Sequence, residues 1–156
     1  MEYASKHPDH GRIRVGKAVD IPPSRVRAWI NGSKPNAVRG VETAREHGWL
    51  DTTLHDAIGD AIAVLAAGIY TCGSIDSGRL VPAWNPSTQI ASQLITHALG
   101  TVETGGKLRH DDTTTRTTEI IPATDASILG RVLVSLGVAH VDFPMHDPLP
   151  AWVEQA

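Results

Sequence analysis

The sequence predicts an α+β protein in two parts, a small helical domain over 1–50 and a mixed domain over 57–156. Three observations lead there. Short helical stretches punctuated by proline fill the first third. Farther on, glycine-centred hairpin signals alternate with longer apolar helical patterns. The charge also changes sign between the two parts.

Taken in order, residues 3–7 read as a short helix ended by Pro8, and residues 12–19 as a second. Ile21-Pro22-Pro23 punctuates the chain, and 23–30 form a third helix, since proline is tolerated in a first turn. Gly32-Ser33-Lys34-Pro35 is a turn. Residues 37–47 form a fourth helix with Asn36 as N-cap. Gly48 closes it, and a boundary falls near Gly48–Asp56. Residues 57–71 are a strongly apolar helix. Ser77-Gly78 joins strands at 73–76 and 79–84. Ser87–Leu99 is an amphipathic helix with Ile90, Leu94 and Ala98 at four-residue spacing. A second hairpin lies over 101–104 and 107–110 around Gly105-Gly106, and another strand over Thr113–Ile121. Residues 125–136 are a helix with Ile128, Leu129, Val132, Leu133 and Leu136 inward. His146–Val153 is an extended tail before a last turn. The second part thus runs helix, hairpin, helix, hairpin, helix.

Composition narrows the function classes. The chain has 156 residues, 41% hydrophobic and 20% charged, which is a globular balance. Aromatics are 4%, so the core must come mostly from Val, Ile, Leu and Ala. The single cysteine, Cys72, excludes an intrachain disulfide framework and a cysteine-based zinc site. The longest apolar run, Ala61–Tyr70, is half the roughly 20 residues that a spanning helix needs. Met1–Lys6 has no apolar signal region, so a soluble, cytoplasmic protein without membrane partners is expected.

The net charge of −3 conceals a division. Residues 1–50 hold nine basic and five acidic side chains, a balance of +4. Residues 51–156 hold five basic and twelve acidic ones, a balance of −7. Between 12 and 34, Arg12, Arg14, Lys17, Arg25, Arg27 and Lys34 face Asp20 alone. Such a patch suits a polyanion, and by charge alone a solvated helical face fits equally well. Asp outnumbers Glu by 11 to 6, Arg outnumbers Lys by 10 to 4, and Thr reaches 14. This usage resembles that of salt-loving archaea. High salt shrinks the counterion-release gain on binding DNA, leaving more to hydrogen bonds and shape.

Residues 12–31 carry the spacing of a helix-turn-helix. Gly16 is the small residue where two helices cross, and Asp20, four positions on, enters the left-handed turn. Val15, Val19, Ile21, Val26 and Trp29 anchor the pair. Ser24, Arg27, Ala28 and Asn31 then face outward, where a recognition helix meets base edges. Arg27 suits guanine and Asn31 adenine. Arg14, Lys17, Arg25 and Lys34 flank them as phosphate contacts. A small helical bundle that binds protein, or nothing, has the same local pattern. The string Pro22-Pro23-Ser24-Arg25-Val26-Arg27-Ala28-Trp29, with Lys34-Pro35 and Gly48-Trp49-Leu50, resembles the small helical units that open haloarchaeal proteins. That likeness covers about the first third of the chain.

Residues 65–73, Leu-Ala-Ala-Gly-Ile-Tyr-Thr-Cys-Gly, resemble the LAGLIDADG helix of homing endonucleases. The order of elements over 57–153 is similar to that family's αββαββα unit, and so is the ending Pro148-Leu149-Pro150-Ala151-Trp152. The resemblance implies a helix that pairs with a second copy through small residues, here Ala63, Ala66, Ala67 and Gly68, and hence a two-fold homodimer. An ordinary buried Ala-rich helix in a monomer is the alternative. In the family the motif's penultimate acid binds the divalent metal. The matching position is Cys72, and the other motif acid is Tyr70. A thiol is a poor ligand for hard Mg²⁺, so no catalytic residue, metal or cofactor is expected. The family's sheet lies over the major groove, which implies DNA contacts from Arg79, Lys107, Arg109 and Arg116.

The expectation is therefore a non-enzymatic, sequence-specific double-stranded-DNA-binding protein, a transcription regulator on an inactive LAGLIDADG-like homodimer. The WhiA regulators join similar parts in the reverse order. Two alternatives stand beside it, an active homing endonuclease using a displaced carboxylate such as Asp76, and a protein-interaction adaptor. His7-Pro8-Asp9-His10 and His110-Asp111-Asp112 read as solvated loops, Cys72 as a structural thiol, and Gly105-Gly106-Lys107 as a turn.

Overall fold

A computed structural model of the chain describes residues 2–30, 34–112, 115–138 and 150–152, with the backbone alone for 28–30. The side chains of Ala28 and Trp29, all of Asn31, Gly32 and Ser33 of the turn at 32–35, and most of the tail at 146–153 lie outside the described residues. The fold is mixed α+β, with seven helices and a four-stranded antiparallel sheet among the described residues. It divides into two compact units, Met1–Glu42 and Thr43–Ala156.

The first unit is helical. Helix α1 (Glu2–Lys6) is followed by α2 (Arg12–Val19), α3 (Pro23–Ile30) and the start of α4 (Asn36–Glu46). Asp20 ends α2 in the left-handed conformation, φ 53° and ψ 46°, and its amide donates to the Gly16 carbonyl. A Cβ on Gly16 would lie 2.7 Å from the Ile21 carbonyl oxygen, so only glycine lets the turn fold back this closely. Val15 and Val26 are buried as expected. Val19 is not: it is 37% exposed, because a stem this short closes over only a few side chains. His7 and His10 stack at 4.8 Å, and the Tyr3 hydroxyl lies 3.2 Å from His10 Nδ1.

The second unit runs α5 (Ala57–Cys72), β1 (Gly73–Ile75), β2 (Pro82–Trp84), α6 (Gln89–Thr101), β3 (Gly106–Arg109), β4 (Glu119–Pro122) and α7 (Ala126–Ser135). The element order is αββαββα and the sheet order is β1-β2-β4-β3. Trp84 pairs with Ile120, and Gly73 with Trp84. This register puts Ile75, Pro82, Trp84 and Ile120 on one face, which packs against the helices. Trp84 is fully buried, and its indole Nε1–H donates to the Leu65 carbonyl at 3.1 Å.

Caps explain where the long helices begin. Asp56 caps α5 and Thr88 caps α6, each accepting from the amide three residues on. The Asp56 carboxylate also accepts from the Thr52 hydroxyl and from the Thr53 amide at 2.7 Å. No helix among the described residues is long and apolar enough to cross a membrane.

The sequence expectations differ from this fold at four places. The division into units falls within α4, between Glu42 and Thr43, ahead of the boundary expected near Gly48–Asp56. Ala44 and Trp49 already belong to the second unit's core, where Trp49 Nε1–H donates to the Val102 carbonyl. The first strand of the expected 101–110 hairpin is instead a helix C-terminus. Buried Val102 and Thr104 fold over α6 and donate to the carbonyls of Ala98 and Leu99. Of the strand expected over 113–121, only the part from Glu119 is formed among the described residues, in β4 (Glu119–Pro122); exposed Thr115, Arg116, Thr117 and Thr118 before it have no apolar alternation to hold a sheet. Finally, α6 is buried through Ile95, Ala98 and Leu99, while Ile90 and Leu94 are 71% and 54% exposed. Of the expected row Ala98 alone faces the core, and Ile95 and Leu99 beside it supply the rest of the buried side.

Candidate functional site

Two groups of cations stand out, one in each unit. In the first, α2 and α3 present Arg14, Lys17, Ser24, Arg25 and Arg27 to solvent. Val26 is the buried side chain between them, so the outward direction of Ser24 and Arg27 follows from helical geometry. Arg14, Lys17, Arg25 and Arg27 have no ion-pair partner among the described residues. Lys34 differs: its ammonium lies 2.6 Å from the Glu42 carboxylate, which offsets the charge expected to meet phosphate.

In the second unit, Arg79, Lys107 and Arg109 line one concavity of about 770 Å³, and Arg131 joins them. They arrive from three directions. Asp76 accepts from the Arg79 amide and fixes the β1–β2 turn that carries Arg79. On β3, Lys107 and Arg109 alternate with Leu108 and so share a face, opposite Ile121 and Glu119 of β4. Arg131 lies one helical turn beyond Ser127 on α7 and donates to its carbonyl and hydroxyl. Arg109 is steered by Glu119, which accepts from Nε at 2.7 Å and from Nη2 at 2.6 Å. Val81, Ile121 and Ala123 supply apolar wall, and Asp76 and Asp125 add carboxylates. Asp125 is itself 3.6 Å from His47 Nε2, whose Nδ1 lies 3.2 Å from Glu103.

Arg116 is not among these groups. It sits in the irregular segment ahead of β4 and not on the strand expected over Thr113–Ile121 to carry it toward DNA. Arg131 is the residue that sequence reasoning missed. Leu129, Val132 and Leu133 of its helix are buried as expected and Ile128 partly so, whereas Leu136, expected inward, is 38% exposed because the helix ends at Ser135. The apolar periodicity left 127 and 131 on the other face and was the available signal.

The small residues expected at a dimer interface are mostly used inside the chain. Ala63, Ala66 and Gly68 are buried, and a Cβ on Gly68 would meet the Trp84 indole nitrogen at 2.8 Å. Gly68 is small to admit Trp84, not a partner helix. Ala67 alone of the four stays partly open. It belongs to a stripe with Ala57, Asp60, Val64 and Thr71, the side of α5 that is left open among the described residues.

Cys72 ends α5, and its carbonyl accepts from the Asn85 amide at 2.7 Å. Among the described residues no three His, Cys, Asp or Glu gather as a metal site. No protein-family model, no curated protein and no solved structure matches the chain.

Proposed function

We infer that the chain is a sequence-specific DNA-binding protein, a transcription regulator whose unit Met1–Glu42 reads the major groove through α3. The observation that supports this best is the α2–α3 pair itself. Gly16 and left-handed Asp20 hold the two helices at the close crossing that a helix-turn-helix requires. The same pair holds out Arg14, Lys17, Arg25 and Arg27 with no carboxylate paired to them among the described residues. Arg27, on the outward face of α3, is the candidate for guanine, and Arg14, Lys17 and Arg25 are candidates for phosphate.

The second unit serves as the scaffold that pairs two copies. Its αββαββα order supports the likeness to a LAGLIDADG unit. The surface for pairing is the stripe Ala57, Asp60, Val64, Ala67 and Thr71, at alternating three- and four-residue spacing, which is the spacing of a helix seam. With Cys72 and Tyr70 at the acidic positions of the motif, this scaffold binds without cutting.

Selection of binding sites from random duplexes, followed by fluorescence anisotropy, tests the reading. Arg27→Ala costs about 1–3 kcal/mol of discrimination at one base position. Arg14→Ala weakens all sequences alike and lowers the salt slope by about 1. A protein whose retention on DNA ignores both substitutions does not use this surface. Light scattering on the same samples reads the dimer, and a selected site without two-fold or direct repetition counts against pairing. Plasmid nicked in Mg²⁺ by the chain but not by Asp76→Ala would make it a nuclease instead.

A further inference from the structure

Residues 51–156 contain five basic side chains, and four of them, Arg79, Lys107, Arg109 and Arg131, line one concavity. The same segment holds twelve acidic side chains. So concentrated a positive site in a domain of opposite sign focuses potential on a single small volume. We propose that this concavity binds a small organic polyanion of nucleotide size, its phosphate groups held between Lys107, Arg79 and Arg131.

Size and surroundings decide between such a ligand and a duplex. A volume of about 770 Å³ falls inside the range of small-molecule sites, roughly 300–1,000 Å³. Duplex DNA carries a charge about every 1.7 Å and needs a track of cations to follow. Here the cations stop at the rim. Asp76 and Asp125 stand in the lining, Glu119 is bound to Arg109, and Arg116 lies elsewhere on the β3–β4 connection. A long polyanion crossing this face would set phosphates over carboxylates; a compact one would not.

The donors are ready for a ligand. Neither the Lys107 ammonium nor the Arg79 guanidinium has a hydrogen-bond or ion-pair partner among the described residues. Among the described residues Arg131 bonds only to Ser127 of its own helix, and Ser127 lines the same concavity. Glu119 holds Arg109 by two nitrogens, which fixes its guanidinium as an oriented wall. Val81, Ile121 and Ala123 beside these charges give an organic moiety an apolar surface to lie on, which bare phosphate would not use.

Titration calorimetry of the full chain with ADP and with inorganic pyrophosphate tests the proposal. Both are expected to bind once per chain, ADP more tightly. Lys107→Gln and Arg131→Gln each weaken ADP by about tenfold or more, since each removes a charge-assisted hydrogen bond. Arg116→Gln changes nothing, and thermal melts of all three variants match the parent. Absence of binding by both probes overturns the proposal. So does equal weakening by Arg116→Gln, which would mean diffuse attraction. If Lys107→Gln and Arg131→Gln spare ADP but reduce retention on a short duplex, the face belongs to nucleic acid and the proposal fails. The site stands apart from the DNA reading: Arg14→Ala, which weakens DNA binding, leaves ADP affinity unchanged.

Discussion

In the first unit Arg14, Lys17, Arg25 and Arg27 stand on helix faces with no acid paired to them among the described residues, whereas in the second Arg79, Lys107, Arg109 and Arg131 line one open concavity beside Asp76 and Asp125, with Glu119 bound to Arg109. The first arrangement spreads charge along exposed helix faces, which suits a long polymer with many weak contacts. The second concentrates it in a concave surface, which suits few and specific contacts. The contrast extends to what holds each unit together. The second has a core cluster that runs from Ala44 to Val138 around Leu65, Trp84, Leu99 and Leu133. The buried apolar side chains of the first are Val15 and Val26 among those described. Stability is therefore concentrated in the unit that carries the concavity, and the unit that carries the exposed cations depends on a few close contacts.

Removing the centre of the larger core breaks that contrast most directly. Trp84→Ala empties the space between Gly68, Gly73 and the sheet and is expected to cost about 3–5 kcal/mol in urea titration. Anion binding at the concavity goes with it, because β2 and β4 pair at Trp84 and Ile120. An unaltered midpoint would mean that the core is not organised around this indole.

The smaller unit has its own weak point. Any side chain at Gly16 meets the Ile21 carbonyl, so Gly16→Val forces α2 and α3 apart and costs about 1–3 kcal/mol. The expected signature is selective: DNA affinity falls sharply, while the anion site in the second unit still titrates normally. Loss of both together would show that the two units do not unfold separately.

How much of this was legible before any coordinates follows from the range of the interactions involved. Gly16, Asp20, Val15 and Val26 act within a dozen residues of one another, and their spacing alone located the helix pair and its turn. Asp56 ahead of the apolar run likewise marked the start of α5. The roles of Gly68 and Ala66 were not legible, because Trp84, which fills the space above Gly68, is sixteen positions away and reaches it only through the sheet. A small residue reads the same whether it admits another helix or an indole. Arg116 failed for a related reason: threonine-rich sequence favours strands, but without a buried face to register it stays irregular. Convergence of Arg79 with Arg131 is a tertiary fact that no local pattern contains.

Lys34 sharpens the comparison by a smaller effect. It has the charge of a phosphate contact but is already matched by Glu42, in a pair that is 59% and 38% exposed. Exposed pairs contribute little, so Lys34→Ala is expected to change stability by less than about 1 kcal/mol. Its loss also weakens DNA binding less than Arg14→Ala does. Anisotropy titrations of the two variants side by side check this, and equal effects would mean that Lys34 abandons Glu42 for phosphate.

The capping of the helices gives the two units different responses to acid. Gly11 precedes α2 without offering a side chain, whereas Asp56 accepts at α5 from the Thr52 hydroxyl, the Thr53 amide and the Gly59 amide. These hydrogen bonds, that from Thr52 foremost, hold the Asp56 carboxyl well below its ordinary value of 3.8. The folded state therefore binds the proton less readily than the unfolded one. The carboxylate's contribution is complete above about pH 4 and is lost as the pH falls below it. The group is solvent-accessible, so the effect is modest. In Asp56→Asn one oxygen still accepts, from Gly59 or Thr53 but not both in the same way, and no charge remains to titrate. The variant should melt below the parent at neutral pH, and the gap should narrow on acidification below pH 4. A gap that holds constant from neutral to acid pH would mean that the carboxylate's charge plays no part in holding α5.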